Sequence, residues 1–505
     1  MIKKANPRIL VVTPEVTYLP DGMGNIANSL SAKAGGLADV SAALINALFQ
    51  LGADVHVALP DYRRMFDAQA VPVLGRTLNS IRSIMPDDRI HLAEDRAFFY
   101  LAHVYSNYAG DNAKIALAFQ REVINNIIPR VKPDLVHCND WMTGLVPAFA
   151  RTLGIPCLFT VHNIHTIKLV MAEIEDRGID AAFFWQHLYY TRMAYTYERT
   201  RETNPVDLLA SGIFASHFVN TVSPTFLHEI VEGRHDFVDA PIRNELSNKF
   251  YADCAVGILN APDPSFDPTT DAAITRKFSA ETVSAGKRAN KTVLQAEVGL
   301  MEVAGAPLFF WPHRLDTVQK GCQLLAQILY RMVSTYWEDA LQIIFVANGE
   351  YKRHFRDIVD FHGFSGRVVI CNFDEDLARR AYAAADFILM PSKFEPCGLP
   401  QMIGPLYGAL PVAHNTGGIH DTVRPLDLDN HTGNGFLFDV FDAEGLMWGV
   451  SQAMAFHRLP PDMREAENAR IMTESRQAFN HSVTAQHYID LYERMLQRPL
   501  IVEQH

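Results

Sequence analysis

A lysine and two glycines stand just before a predicted helix, in the segment Lys33-Ala-Gly-Gly-Leu-Ala-Asp39. Gly35 and Gly36 allow a close approach of the backbone, so their N–H groups can face an anion at the start of the helix. Lys33 adds a flexible positive charge, and Asp39 could hold a hydroxyl group. A tight turn with a surface lysine would give the same pattern. The spacing matches neither the Walker A motif nor the dinucleotide-binding glycine motif.

Polar residues also follow two predicted strands, in segments 137–145 and 159–163. If these strands belong to adjacent β-α units, their ends point into one crevice. Asp140 would then be a carboxylate for a hydroxyl group, and His162 a hydrogen-bonding group. A histidine at the end of a strand can equally be a satisfied capping residue.

Two cations lie at a third predicted strand-to-helix junction, in segment 311–321. Arg314 offers a planar fork of N–H donors, and Lys320 offers a point charge. Together they can neutralise the charge that grows on a departing diphosphate. The alternative is a solvated helix start.

The most informative segment is 391–401, which follows a predicted buried strand and opens a helix. Glu395 can bind sugar hydroxyls. The backbone amides of Cys397, Gly398 and Leu399 can face an anion at the helix N-terminus. A glutamate beside a phosphate-type helix start suggests a sugar nucleotide as ligand.

Another glycine pair follows the next predicted strand, where Thr416 precedes Gly417 and Gly418. Like the other helix starts, it can present backbone N–H groups to an anion, and Thr416 and Gly417 are assigned to the same sugar-nucleotide site. No cluster of His, Asp and Cys has the spacing of metal ligands, so no metal is expected.

The elements that must position these residues alternate along the chain. Short apolar runs separated by helix-period segments indicate parallel sheets with both faces covered, and hence an α/β fold class with two doubly wound domains. Strands are predicted over 8–13, 54–59, 97–104, 135–138, 157–161, 217–222, 307–311, 342–347, 367–371, 387–390 and 410–414. Helices are predicted over 36–51, 113–130, 143–153, 318–334, 351–362, 375–385 and 400–408.

A proline-rich segment, 260–268, separates the two series of strands. It predicts an N-terminal domain over 1–262 and a C-terminal domain over 263–478. The C-terminal helix within 479–505 is expected to pack back on the N-terminal domain. Ligands of such sheets bind beyond the carboxyl ends of the strands, so two facing sheets predict a cleft.

The composition limits the classes of molecule that the protein can be expected to bind. Among 505 residues, 45 Lys and Arg stand against 57 Asp and Glu, which gives a net charge of −12 and excludes a broad basic surface for nucleic acid. Six scattered cysteines without a CxxC pair are expected to be reduced thiols. A secretory signal and an apolar run of about 18 residues are both missing, so the protein is predicted to be cytoplasmic, without a membrane partner.

Together these segments resemble the ADP-glucose-type bacterial glycogen synthase and plant starch synthase family. The matches follow the family order from about residue 8 to residue 495. They lie in residues 33–40, 139–145, 159–163, 220–225, 257–260, 290–295, 394–399, 415–418 and 421–423.

The resemblance implies a GT-B fold, with two Rossmann-like domains facing each other across a cleft. It implies a retaining, metal-independent transfer of glucose from a nucleotide sugar, most simply ADP-glucose, to the non-reducing end of an α-1,4-glucan. No cofactor is expected beyond that nucleotide sugar. The acceptor hydroxyl would enter on the face that the diphosphate leaves, so stabilisation of the leaving group would dominate catalysis.

Individual residues take their roles from the same resemblance. Lys33, Arg314 and Lys320 match the residues that bind the donor phosphates. His162 matches the active-site histidine, and Glu395 matches the carboxylate that binds the donor sugar.

Four more positions are assigned in this way. Asn260 matches a hinge asparagine, and Phe373 aligns with an aromatic residue beside adenine. Asp39 and Asn163 are placed on the acceptor side.

The departures from the family fall mostly on the N-terminal domain. Residues 18–27 are inserted, 164–168 lack the aromatic-Gln-Gly of the glucan-facing loop, and Ala210 stands where a lysine is common. Arg314 and Lys320 are separated by one extra residue, which affects the position of one cation.

These departures keep two alternatives open. The same donor chemistry could serve a small sugar or metabolite as acceptor, or the chain could be a catalytically weak nucleotide-sugar-binding or regulatory protein. The sequence does not decide whether the donor is ADP-glucose or UDP-glucose. It also does not decide the oligomeric state or any allosteric effector.

Overall fold

A computed structural model describes residues 6–24, 30–34, 36–70, 89–106 and 108–501. The chain divides into two units, one of residues 1–260 and 481–505 and the other of residues 261–480. These limits lie two residues from the predicted ones at 262 and 478. The C-terminal segment from His481 belongs to unit 1, and Asn260 is the last residue of unit 1 before unit 2 begins.

Unit 1 is built on a seven-stranded sheet in which every neighbouring pair is parallel. Its order is β3-β2-β1-β4-β5-β8-β9, and a separate antiparallel pair is formed by β6 and β7. The strands of unit 1 are β1 Arg8–Val12, β2 Asp54–Pro60, β3 Ile90–Ala93, β4 Leu135–Asn139, β5 Cys157–Val161, β6 Lys168–Leu169, β7 Val206–Asp207, β8 Phe218–Thr221 and β9 Ala255–Gly257.

Helices connect these strands, as parallel pairing requires. The α-helices of unit 1 are Gly36–Gln50, Arg63–Ala70, Arg96–Phe99, Ala109–Glu122, Ile128–Val131, Val146–Thr152, Met171–Glu175, Tyr197–Arg201, Leu208–Ala215, Pro224–Val231, Ala240–Tyr251 and His481–Leu496. Short 3₁₀ turns occur at Trp141–Thr143, Ala181–Phe183 and Trp185–His187.

Unit 2 contains a six-stranded parallel sheet in the order β12-β11-β10-β13-β14-β15. The strands are β10 Leu308–Trp311, β11 Gln342–Val346, β12 Val368–Cys371, β13 Phe387–Met390, β14 Leu410–His414 and β15 Phe436–Phe438. Its α-helices are Val283–Val298, Cys322–Thr335, Lys352–His362, Glu375–Ala384, Pro400–Leu406, Gly417–Thr422, Ala443–His457 and Pro461–Ala478, and a 3₁₀ turn covers Ala280–Thr282.

Both faces of the unit 2 sheet are buried, which explains why its strands read as continuous apolar runs. In β10, Leu308 and Phe310 belong to one hydrophobic cluster, whereas Phe309 and Trp311 belong to another. Successive side chains of a strand point to opposite faces, so each face has its own core. The predicted α/β class with two doubly wound units is confirmed.

Two predicted elements need correction, and five short strands, β3, β6, β7, β9 and β15, are additional to the prediction. The strand predicted over 97–104 is wrong, because Asp95 caps a short helix there by accepting a hydrogen bond from the Ala97 N–H at 2.7 Å. The single helix predicted over 113–130 is interrupted by a π-helical turn, Val123–Ile127, ahead of Pro129, whose nitrogen cannot donate. Strands β9 and β15 were not predicted, since three residues are too short for a periodic signal.

The C-terminal helix His481–Leu496 is joined to the unit 1 sheet by buried polar side chains. The Tyr492 hydroxyl lies 2.7 Å from Nδ1 of His137 in β4, and Nε2 of that histidine lies 2.6 Å from the Thr160 hydroxyl. Asn220 in β8 contacts Thr160 and donates to the Tyr488 hydroxyl at 3.1 Å. Burial lowers the pKa of His137 to about 3, so its ring is neutral and pairs without a counter-ion.

All six cysteines are free thiols, as expected. Within the described ranges, no helix is both long and apolar enough to cross a lipid bilayer.

Replacing Tyr492 by phenylalanine tests the attachment of the C-terminal helix. The change leaves a buried imidazole nitrogen without its partner, at a cost of about 1–3 kcal/mol. Amide hydrogen exchange of peptides from 481–496 should therefore become roughly five- to hundredfold faster. Tyr251→Phe is the control because Tyr251 is 79% exposed. Equal exchange in the two variants would contradict the assigned role of this hydrogen bond.

Candidate active site

In unit 1 the lysine-glycine segment forms the entry to the helix Gly36–Gln50. Lys33 is exposed, and its Nζ lies 3.1 Å from Oδ2 of Asp39 in the first turn of that helix. The other oxygen of Asp39 accepts a hydrogen bond from the Thr17 hydroxyl at 2.6 Å. Asp39 therefore orients Lys33 in this structure, and its role toward a ligand hydroxyl stays a prediction. Gly35 lies outside the described residues.

Glu15 also supports this loop, and the sequence analysis did not identify it. Its carboxylate accepts a hydrogen bond from the Ala34 N–H at 2.7 Å and one from the Tyr105 hydroxyl at 3.1 Å. Glu15 is 2% exposed. By accepting the Ala34 N–H, the Glu15 carboxylate holds the loop in place. The only sign of this role in the sequence is that Glu15 follows closely after strand β1.

Asp140 and His162 are brought together at the carboxyl ends of β4 and β5. Oδ1 of Asp140 accepts hydrogen bonds from the backbone N–H groups of His162 at 2.7 Å and Asn163 at 3.3 Å. Nε2 of His162 lies 2.9 Å from Oδ1 of Asn139, whose amide nitrogen donates to the Val12 carbonyl. The predicted pair is thus adjacent, with Asp140 as the residue that shapes the loop.

The hydrogen bonds assign the tautomer of His162. Because the Asn139 amide nitrogen donates to a carbonyl, its oxygen is left to accept, and Nε2 of His162 carries the proton. Burial lowers the pKa of His162 to about 3, so the ring is neutral. Its Nδ1 is then a hydrogen-bond acceptor.

Burial raises the pKa of Asp140 to about 7, against the lowering effect of the two N–H donors, and the negative charge of Glu15 adds to the increase. Asp140 also has a backbone φ of 58°, in the left-handed region that asparagine and aspartate tolerate better than most residues. A carboxyl group that titrates near neutral pH therefore controls the geometry of the His162 loop.

In unit 2, Lys320 and Glu395 form a buried ion pair. Nζ of Lys320 lies 2.6 Å from Oε2 of Glu395, and their side chains are 12% and 6% exposed. The Ser392 hydroxyl donates to the same oxygen at 3.0 Å. Among the described residues, Oε1 of Glu395 has no protein partner, so it remains available to a ligand.

A turn around Asp316 accommodates the extra residue between the two predicted cations. Its side chain accepts hydrogen bonds from the N–H groups of Val318 and Gln319, and its carbonyl accepts one from the Lys320 N–H at 3.1 Å. Lys320 is thereby placed at Glu395 despite the longer link. Arg314 lies at the other end of this turn, exposed, in the wall of a cavity of about 640 Å³.

Gly321 allows the Lys320 turn to approach the end of β13. It has a φ of +68°, and a Cβ at this position would lie 1.9 Å from the Pro391 carbonyl oxygen. A glycine is thus required both by conformation and by space.

The segment after Glu395 is packed just as closely. A Cβ on Gly398, at φ +75°, would lie 2.4 Å from Oε1 of Gln401 and 2.9 Å from Cγ of Glu395. The Glu395 carbonyl also accepts a hydrogen bond from the Gly418 N–H at 2.9 Å. The two glycine segments predicted separately therefore meet at Glu395, together with Cys397.

Three remaining predicted positions in this segment line up with helix starts. Leu399 precedes the helix Pro400–Leu406, and Thr416 precedes the helix Gly417–Thr422. Gly417 has a φ of 44°, which suits a residue without a side chain.

His313, beside Arg314, was missed by the sequence analysis. It is 6% exposed, its carbonyl accepts the indole N–H of Trp311 at 2.9 Å, and its Nε2 has no hydrogen-bond partner among the described residues. Burial, reinforced by the charges of Lys320 and Arg314, lowers the pKa of His313 well below its usual value. A neutral imidazole thus lies within the electrostatic range of both cations.

The last two predicted positions are Phe373 and Asn260. Phe373 is 55% exposed, and its N–H donates to Oδ1 of Asn348, whose carbonyl accepts the Leu315 N–H. It therefore lies near the Arg314 turn. Asn260 is buried, and its Oδ1 has no partner in the described part of the chain. Within the same ranges, no group of three or more metal-ligating side chains occurs.

Comparison with known proteins identifies relatives along the whole chain. Residues 8–239 match the starch synthase catalytic domain family, and residues 306–455 match glycosyl transferases group 1. The glycogen synthase of Geobacillus thermodenitrificans is 31% identical, covering 92% of this chain and 96% of that protein. The glycogen synthase of Moorella thermoacetica is also 31% identical and covers 97% of both chains.

Solved structures share the fold. The catalytic domain of starch synthase IV from Arabidopsis thaliana has a TM-score of 0.76 at 24% identity, covering 98% of this chain and 100% of that chain. Sucrose-phosphate synthase from Thermosynechococcus elongatus has a TM-score of 0.57 at 16% identity, covering 97% and 99%. The fold is that of the GT-B glycosyltransferases, as predicted. The chain belongs to the glycogen synthase and starch synthase family and is a glycosyltransferase.

Replacing Asp140 by asparagine should change the pH profile. Asparagine keeps an oxygen acceptor for the two N–H groups and tolerates the backbone, but it does not titrate. Protonation of Asp140 weakens that acceptor, so wild-type kcat/KM should fall as the pH drops through about 7, with no such inflection in Asp140→Asn. Asp140→Ala, which loses the acceptor, should be slow at every pH. An unchanged inflection in the asparagine variant would contradict the role of Asp140.

Gly398→Ala should lower kcat/KM by more than about tenfold, because the new methyl group displaces Gln401 and Glu395. Gly363→Ala is a matched control: Gly363 has a φ of +67° and no atom within 4 Å of the new Cβ. Both variants should lose about 1–2 kcal/mol of stability from the backbone conformation. Steady-state kinetics and thermal unfolding separate the two effects, and equal activities would show that the contact with Glu395 is unimportant.

Proposed function

We propose that this chain transfers glucose from ADP-glucose to the non-reducing end of an α-1,4-glucan, with retention of the anomeric configuration. The observation that carries the proposal is the buried Lys320–Glu395 pair inside the donor motif. Its curated relatives are glycogen synthases, and the starch synthase IV domain was solved with ADP and acarbose. The nucleotide sugar is a co-substrate, and a metal has no role in the proposed step.

Glu395 is proposed to bind the donor sugar. Lys320 and Ser392 occupy its Oε2, which fixes the carboxylate and leaves Oε1 to accept a hydrogen bond from a glucose hydroxyl. Charge-assisted hydrogen bonds of this kind are roughly twice as strong as neutral ones. The exposed ring of Phe373 would stack on the nucleotide base.

Lys320 and Arg314 are proposed to stabilise the leaving group. In the transfer, the bond between the anomeric carbon and the diphosphate oxygen breaks, and a bond to the acceptor oxygen forms on the same face. The proton of the acceptor hydroxyl passes to the departing diphosphate. Two cations near a neutral His313 match the negative charge that develops on that group.

Unit 1 is proposed to contribute groups for the sugar and the phosphates. The neutral His162 offers Nδ1 as an acceptor for a donor-sugar hydroxyl, since its Nε2 proton is held by Asn139. Lys33, oriented by Asp39, would add positive charge toward the diphosphate, helped by the N–H groups at Gly36. Asn163 would lie on the acceptor side and Asn260 at the hinge.

A small sugar or metabolite is the second candidate for the acceptor. The departing segment 164–168 contacts the start of the helix that contains Ala210. The Thr166 hydroxyl donates to Asp207 at 2.6 Å, Lys168 lies 3.7 Å from the same carboxylate, and the Ala210 N–H donates to it at 2.9 Å. Ala210, at the family's lysine position, is fully buried. An altered acceptor surface is therefore concentrated at one place in unit 1.

Product analysis with both donors tests the function. Purified protein should incorporate labelled glucose from ADP-glucose into glycogen, faster than from UDP-glucose, and the new linkages should be α-1,4 and released by β-amylase. Label found only in small products of a panel of mono- and oligosaccharides would replace the glucan by the second candidate. Donor binding without turnover of any acceptor would leave only the binding-protein alternative.

The same assay includes variants of the ion pair. Lys320→Ala and Glu395→Ala should each reduce turnover by more than about tenfold, because each loses charge stabilisation in the transition state. Lys277→Ala, at an exposed lysine of unit 2, is the control. Near wild-type rates in both ion-pair variants would refute the proposed donor site.

A further inference from the structure

A second polar cavity lies within unit 2, at the edge of the sheet opposite to Glu395. It has a volume of about 140 Å³ and adjoins Asp386, the residue directly before β13. Glu395 follows the other end of that strand. Helix Val283–Val298 contributes Lys287 and Lys291 to the wall, and we call this space the lysine cavity.

Positive charge predominates in the lysine cavity. Its wall contains Lys287, Arg288, Lys291 and Arg464, against two carboxylates, Asp386 and Glu465. This excess occurs in a protein whose net charge is −12. Local charge of opposite sign to the whole chain is what concentrates an anion at a defined place.

The carboxylate nearest to the lysines is already occupied. Lys291 donates to Oδ2 of Asp386 at 2.5 Å and to the Ala306 carbonyl at 2.8 Å. The same oxygen of Asp386 accepts the Leu308 N–H at 2.8 Å. Asp386 is thus committed to an ion pair with Lys291, and its charge acts on Lys287 only without an ion-pair contact.

Lys287 is left without a counter-ion. It is 6% exposed, and it donates to the Tyr407 carbonyl at 2.8 Å and to the Tyr382 carbonyl at 3.5 Å. Among the described residues, no carboxylate lies within ion-pair distance of it. Burial lowers the pKa of Lys287 to about 7; the charge of Asp386 opposes this change, and the charge of Lys291 adds to it. A buried ammonium group without a contacting anion is costly, so Lys287 is neutral in about half of the molecules near pH 7.

Arg464 supplies a buried donor of the wall that needs a partner, because its Nε has no hydrogen bond among the described residues. NH1 of Arg464 lies 3.4 Å from Nδ1 of His457. A guanidinium N–H without an acceptor, in the same cavity wall as Lys287, fits an oxyanion.

We propose that the lysine cavity binds an oxyanion of phosphate size and charge, which supplies the counter-charge that Lys287 lacks. The volume equals that of about five water molecules, enough for the five heavy atoms of phosphate. Lys287 and Arg464 are the principal contacts, and Arg288 lies at the exposed mouth. The site is separate from the donor phosphates and does not depend on the proposed function.

Binding is coupled to protonation of Lys287. The anion favours the ammonium form, so binding takes up a proton and weakens as the pH rises above about 7. The charged and titratable groups that face Lys287 around the cavity are Arg288, Lys291, Asp386, His457, Arg464 and Glu465, together with Tyr382 and Tyr407 behind it.

Sulfate is the first probe, because it has the shape of phosphate but does not titrate near neutral pH. Isothermal titration calorimetry of sulfate into the full chain, at pH 7 and 8 in two buffers of different ionisation heat, should show one site. Proton uptake should rise from about 0.5 to nearly 1 per sulfate as the pH increases. Absence of saturable binding, or binding without proton uptake, would overturn the proposal.

Variants locate that binding. Lys287→Met should abolish proton uptake, and both it and Arg464→Gln, which disturbs less of the core, should weaken sulfate at least about tenfold. Lys277→Met and Lys320→Ala should bind sulfate with wild-type affinity. Lys277 is exposed and does not line the lysine cavity, and Lys320 lies beyond the other end of β13. Unchanged affinity in Lys287→Met and Arg464→Gln, or loss in Lys320→Ala, would reject the lysine cavity.

The physiological source of the anion is distinguished by competition. If inorganic phosphate displaces sulfate at a lower concentration than glycerol 3-phosphate does, the ligand is free phosphate. The reverse order would assign a phosphate monoester whose remaining part lies outside the cavity. Failure of both to displace sulfate would reject a phosphate ligand.

Discussion

The buried Lys320–Glu395 ion pair is the interaction on which the donor side of this protein depends. Removing two charges from water costs several kcal/mol per ion, and the attraction between them repays this only with good geometry and further hydrogen bonds. Here the geometry is supplied by Ser392 on the carboxylate and by the Asp316 turn on the lysine side. Such a pair is weak evidence for stability, which is consistent with the proposed role of Glu395 in binding the donor sugar.

The surrounding backbone is organised around that pair. Gly321 lets the Lys320 turn approach the end of β13, and Gly398 lets the chain pass beside Glu395 without displacing it. Each glycine adopts a conformation in the left-handed region, where a side chain would be strained. Because the net charge of the protein is −12, the proposed anion binding depends on a few positioned groups and not on a basic surface.

In unit 1, neutral polar groups attach the C-terminal helix to the sheet. His137, Thr160 and Asn220 lie on three adjacent strands and contact one another through Thr160. His137 and Asn220 are paired with tyrosines of a helix that lies 355 and 268 residues away in the sequence. A hydrogen-bonded network of this kind specifies one docking position, because a shifted helix would leave several buried groups unpaired. The same strands end at Asp140 and His162, so the rigid attachment of the helix and the geometry of the loop share one sheet.

The sequence by itself determined the alternation of strands and helices, the parallel sheets, the family, and the residue types near each strand end, because burial on both faces and glycine-bounded turns leave local patterns. It failed at short edge strands and at 97–104, where one aspartate cap outweighs an aromatic run. Only the tertiary structure decided which of these residues meet. Lys320 reaches Glu395 in spite of one extra residue, and Lys287 has no ion-pair partner. Glu15 supports the Lys33 loop within unit 1, and His313 lies beside Arg314 within unit 2. These pairings depend on distances between segments that are far apart in the chain, which a local sequence pattern does not contain.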